Sequence, residues 1–316
     1  NVLSIGLDNL ILMVMANGKY IVKSGTDFRS LSKINLQFTK DLKEQTIQEV
    51  NVTSQIKEDP ILKSILKEYS DTMERESDKQ LVILSELVDA RINMLWRAET
   101  GLGSWLCDVV LSATAADLVL LNAGMLKANR VFPAGPFTQQ HLAALLPIDR
   151  GIVVLNVTGQ TVLEMLENAV SSYPELDGRF GLVAGVRFSF NPRARAGHRV
   201  SPDQVRVGAA RLELHRYYKL ATRVYLHRGH DDYTMLREAP IFEEDAGFCF
   251  TLQMIVQSYF ETLQKISNHW LKFFHLKTPL LQHHLCPFEE TGLIMLSPKT
   301  DKRINPCDEE RTSTEL

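Results

Sequence analysis

A chain of 316 residues, 45% apolar and 23% charged, has room for one large core or two ordinary ones beneath a solvated surface. Its formal net charge of −3 lacks the basic excess that nucleic acid or an anionic membrane would call for, so no nucleic-acid partner is expected. Four cysteines (Cys107, Cys249, Cys286 and Cys307) are too scattered for a disulfide framework or a paired-cysteine metal site.

The chain begins at Asn1 rather than Met, which reads as a fragment or a mature product. The apolar run 10–15 is too short to span a bilayer, and no membrane span is expected. Asn17-Gly18 follows it and Tyr20-Ile21-Val22 leads back, which predicts a β-hairpin within residues 1–38. Residues 39–90 turn rich in Lys, Glu, Asp and Gln. Ile61, Leu62, Ile65 and Leu66 share one helical face there, so a charged helical connector is predicted.

Residues 91–245 alternate strand and helix signals. A helix is predicted over 103–112, a buried strand over 117–121, and a helix capped by Thr138. A β-branched strand over 152–157 runs into Thr158-Gly159, which opens another helix. Strands are predicted over 183–190 and 205–214, with turns at Asn191-Pro192 and Ser201-Pro202. This order argues for an α/β domain. Residues 246–275 carry apolar side chains at helical spacing. That helix either packs back on the domain or offers a protein partner a face over 248–274. Residues 276–316, polar and proline-rich, read as a disordered tail. Within it His283, His284 and Cys286 form a metal-like local cluster, which is read as an exposed polar turn before Pro287.

Several blocks carry a family resemblance. In chain order they are Glu99-Thr100-Gly101-Leu102-Gly103 with Cys107-Asp108, Leu121-Asn122-Ala123-Gly124-Met125-Leu126-Lys127, Phe137-Thr138 through Leu146-Pro147 to Val157-Thr158-Gly159, Gly178-Arg179-Phe180 to Gly185, and Tyr225-Leu226 to Gly229-His230-Asp231-Asp232-Tyr233. Together they resemble the C-terminal domain of 5'-nucleotidases and UDP-sugar hydrolases. The stretch 21–29 resembles the end of that family's metallophosphoesterase domain. The resemblance implies an α/β (α+β) fold of layered sheets and helices. It implies a hydrolase of nucleotide catabolism that cleaves phosphomonoesters with a pair of divalent metals in its full-length form, this chain holding the substrate-binding half.

The family's late metal motif falls at Gly6-Leu7-Asp8-Asn9, where Leu7 and Asn9 stand in place of histidines. Either the site is degenerate or residues 1–9 are foreign to it, and no metal site is expected in this chain. The ligand implied is a nucleotide or related phosphoester. Tyr225 would stack on the base, with Ile148 at the second ring position, and Asp231 would accept from the ribose hydroxyls. Asn122, Lys127 and Arg97 would lie near the phosphate, Lys127 as a point charge where the family has Arg. Simpler roles stand beside these: Tyr225 in the core, Asp231 capping a helix, Lys127 as a solvated loop charge. The competing function is a catalytically inactive relative that binds a nucleotide or a protein.

Overall fold

The computed structural model describes residues 12–16, 19–23, 30–38, 42–67, 78–147, 151–242, 250–267, 283–287 and 294–307, which divide by their contacts into two units, Asn1–Met73 and Glu74–Leu316. In the first unit β1 (Leu12–Ala16) and β2 (Lys19–Lys23) pair antiparallel with Ala16 opposite Lys19, the two-residue hairpin that Asn17-Gly18 predicts. A second hairpin joins β3 (Ser30–Phe38) to β4 (Leu42–Asn51). Helix α1 (residues 60–67) starts where the Asp59 carboxylate accepts from the backbone N–H groups of Ile61 and Leu62 at 2.8 and 3.0 Å. The stretch predicted as a helical connector therefore opens with a strand. Its apolar residues, Leu42, Ile47 and Val50, are few and not two apart, so no period of two shows in the sequence.

The second unit runs β5 (Gln80–Leu84), β6 (Val88–Asp89), α2 (Ile92–Leu95), α3 (Gly101–Thr114), β7 (Leu118–Asn122), β8 (Val131–Phe132), β9 (Gly135–Thr138), α4 (Gln139–Leu145), β10 (Ile152–Thr158), α5 (Gly159–Ala169), β11 (Gly181–Ala184), β12 (Val186–Phe190), β13 (Val205–Val207), β14 (Ala210–Arg211), β15 (Tyr217–Arg223), α6 (Val224–His227), α7 (Leu252–Ser267), β16 (Leu285–Pro287), β17 (Ile294–Leu296) and β18 (Ile304–Pro306). This is the layered α/β arrangement expected. It takes in residues 74–90, which were expected in the connector.

The central sheet has the order β10-β15-β7-β11. Strands β15 and β7 run parallel, with β10 and β11 antiparallel at the edges. All five residues of β7 are buried, as its unbroken apolar run demands. Helix α3 packs on β7 and β11, and it is buried from Leu102 to Leu111. Thr100, Thr138 and Thr158 cap α3, α4 and α5 by accepting from backbone N–H groups, two of them at the places predicted. The single strand predicted over 183–190 is two, broken at Gly185. Its φ of 71° is left-handed, and a Cβ there would meet the Asp117 carbonyl at 2.2 Å.

Of the expectations about the C-terminal region, one is met and one is corrected. Leu252, Ile255, Val256, Tyr259, Phe260 and Leu263 of α7 are buried, and Trp105 meets Phe260 at 5.6 Å between ring centroids. The apolar face of α7 thus packs on its own domain over 252–263, one of its two expected roles, although Phe250 and Met254 are not buried. The whole stretch 276–316 is not a disordered tail: β17 adds in parallel to β5, and β18 in parallel to β12. Ile294, Leu296 and Ile304 are buried there, on three-residue strands too short to show as elements among prolines and polar residues.

Candidate functional site

Parallel neighbours end on the same edge of a sheet. With Leu120 opposite Thr222, β7 and β15 bring their last residues, Asn122 and Arg223, to one point. The carboxyl ends of adjacent parallel strands are where open α/β sheets form ligand crevices. Asn122 and Arg223 are both buried, and the Arg223 guanidinium donates to Asn122 Oδ1 at 2.7 Å. Asn122 Nδ2 donates in turn to Asp231 Oδ2 at 2.8 Å. The other carboxylate oxygen of Asp231 accepts from the Tyr225 hydroxyl, also at 2.8 Å. The Arg223 Cζ atom lies 5.3 Å from the Tyr225 ring centroid. Asn122 at the end of β7 and Tyr225 just after β15 thus converge on one carboxylate.

The turn that presents Asp231 is tightly built. Gly229, Asp231 and Asp232 all have left-handed backbone, with φ of 79°, 53° and 60°. A Cβ at Gly229 would sit 2.1 Å from Nε of the exposed Arg237 side chain, which would have to move aside, and the left-handed φ favours glycine there. Asn168 of α5 donates to the Asp231 carbonyl at 2.9 Å, and Arg179 pairs with Asp232 at 2.8 Å. Tyr233 anchors the turn from below: its hydroxyl donates to the Arg179 carbonyl at 2.7 Å. Burial, with the Asp231 carboxylate adding to it, pushes the Tyr233 phenol up and keeps it a donor. The His230 ring stacks on Tyr225 at 4.5 Å and 17° between planes.

Of the residues predicted from sequence, Asn122, Tyr225 and Asp231 are brought together. Tyr225 is half-buried, and the Asp231 carboxylate turns to Asn122 and Tyr225 without capping a helix. Lys127 and Arg97 are exposed, and among the described residues neither side chain hydrogen-bonds this group. Ile148, Leu7 and Asn9 lie outside the described residues. Arg223, His230 and Asn168 escaped the sequence reading. His230 stood inside a block already singled out; Arg223 would have needed β15 to be recognised. An open cavity of about 790 Å³ adjoins the turn, lined by Glu164, Glu167, Asn168, Arg199, Thr234 and Met235. Asn122, Tyr225 and Asp231 do not line it.

A second buried polar cluster has a structural task. His284, expected in an exposed turn, is fully buried. Its Nδ1 accepts from the Lys299 N–H at 3.0 Å, so Nε2 carries the proton donated to Asp108 at 2.8 Å. The Arg303 guanidinium donates to both Asp108 oxygens at 2.8 and 2.6 Å. Burial alone would raise the Asp108 carboxyl, but the hydrogen bonds from His284 and Arg303 hold it below its ordinary value. Glu99 accepts from the backbone N–H groups of Asp301, Arg303 and Ile304. The two carboxylates clasp the C-terminal strands to α3, and both imidazole nitrogens of His284 are used in doing so. Among the described residues no three His, Cys, Asp or Glu side chains converge as ligands of a metal would. The described residues therefore do not fit the metal pair of the full-length family.

Residues 81–238, half of the chain, match the family described as 5'-nucleotidase, C-terminal domain. The chain belongs to that family. It is 25% identical to the trifunctional nucleotide phosphoesterase protein YfkN of Bacillus subtilis, over 67% of this chain and 14% of that protein. It is 24% identical to the 5'-nucleotidase of Vibrio vulnificus, over 71% of this chain and 40% of that one. The crystal structure of a 5'-nucleotidase precursor from Thermus thermophilus shares the fold, with a TM-score of 0.63 at 21% identity, covering 94% of this chain and 54% of that one. The chain thus spans 14% and 40% of these two curated relatives. The convergence of Asn122, Tyr225 and Asp231 falls inside the stretch matched to the 5'-nucleotidase C-terminal domain.

Proposed function

We propose that this chain carries the nucleotide-recognition half of a 5'-nucleotidase-type phosphoester hydrolase of nucleotide catabolism. The base lies on the Tyr225 ring and the ribose hydroxyls donate to Asp231. The observation that carries this reading is the Asp231 carboxylate, held at 2.8 Å by both Asn122 and Tyr225 beside an aromatic ring. A carboxylate beside a ring face suits a sugar diol joined to a planar base. Arg223 places a positive charge next to Asn122, which favours an anionic ligand. Lys127 and Arg97, exposed and solvated, reach the phosphate only as flexible charges.

Calorimetric titration with AMP tests this. Base stacking on an aromatic side chain is worth about 1–3 kcal/mol, so Tyr225→Ala weakens binding by roughly tenfold. Tight binding unchanged by Tyr225→Ala would overturn the stacking role.

A second reading is a relative that binds without turnover. It is favoured by the saturation of the site, because both oxygens of Asp231 are taken within the chain and His230 covers a face of Tyr225. Turnover of AMP by the full-length protein with Mn²⁺ separates the two readings.

A further inference from the structure

We propose that His230 is a removable cover on the base site, and that a nucleotide base binds by displacing its imidazole from Tyr225. The inference rests on the reading of this site as a nucleotide site and adds the residue that sets access to it. A base held between two rings needs about 7 Å between them, twice a carbon–carbon contact distance. Tyr225 and His230 are 4.5 Å apart and nearly parallel, so nothing fits between them. A base that stacks on that face of Tyr225 must therefore move His230 first.

The two rings are held very differently. The Tyr225 hydroxyl is bonded to Asp231, which Asn122 and Asn168 fix in turn. The His230 imidazole is exposed, and the stack is its sole recorded side-chain contact among the described residues. The backbone around it is held: the Gly229 N–H donates to the Leu226 carbonyl at 2.8 Å on one side, and the Asp231 carbonyl on the other is bonded to Asn168. Release thus needs a rotation of one side chain and no movement of the turn. An aromatic pair of this kind is worth a factor of roughly 2 to 10 in an equilibrium constant, and that factor is what the base must overcome.

The test is titration of the chain with AMP, comparing the wild type with His230→Ala and His230→Phe. His230 is exposed, so both variants keep the fold. Affinity should rise roughly 2- to 10-fold in His230→Ala. It should fall below wild type in His230→Phe, whose larger ring covers Tyr225 more firmly. Adding Tyr225→Ala should abolish the gain from His230→Ala. If the wild type binds AMP but His230→Ala binds equally or more weakly, the cover is refuted while the nucleotide reading stands. If no variant binds AMP, both fail.

Discussion

Asn122 is the residue on which the site is hung. Its amide donates to one charged group, Asp231, and accepts from another, Arg223, while buried itself. Hydrogen bonds to charged groups contribute about 1.5–3 kcal/mol, and a partner left unsatisfied costs more than a bond never made. Asn122→Ala is accordingly expected to lower the unfolding free energy by about 2–4 kcal/mol, read as a lower urea midpoint. A change below about 0.5 kcal/mol would mean that water replaces both bonds. Asn122, Tyr225 and Asp231 were singled out because each sits in a short block of sequence that resembles the family's. Arg223 was not. Its position depends on β15 lying parallel to β7, a pairing across about a hundred residues that no local pattern reports.

Among the elements, the C-terminal strands show where composition misleads. A polar, proline-containing stretch was expected to stay disordered, yet β16, β17 and β18 extend sheets of the domain. What composition hides is that Arg303 and His284 are buried against Asp108, supplied by a helix 195 and 176 residues earlier. Removing one partner of a buried ion pair strands the other. Arg303→Ala is therefore expected to cost about 3–5 kcal/mol, while Arg303→Met with Asp108→Leu is far milder. The pH dependence has a definite sign. The folded Asp108 carboxyl lies below 3.8, so its contribution is complete above that value and is lost as pH falls through the folded one. Acid unfolding followed by circular dichroism should lose this component in Asp108→Asn. An unchanged acid profile would contradict the clasp. Helices α3, α4 and α5 were readable from apolar runs and capping threonines, because helix signals are local. Strand β4 was not, because its few apolar residues are outnumbered by polar and charged ones and do not alternate.

At the scale of the molecule, the chain covers half of its length with one family domain and a minority of its curated relatives' length. The fold class followed from alternating strand and helix signals, and the group of Asn122, Tyr225 and Asp231 from a few blocks in order. The stack of His230 on Tyr225 did not follow, since it depends on which rings find each other after folding. The central claim is that a nucleotide is held by Tyr225 and Asp231 at the ends of β7 and β15. A crystal structure of the chain with AMP tests it most directly. The account predicts the base on the Tyr225 face vacated by His230, with ribose hydroxyls within hydrogen-bonding distance of Asp231. AMP bound elsewhere, with the Tyr225–His230 stack intact, would contradict it.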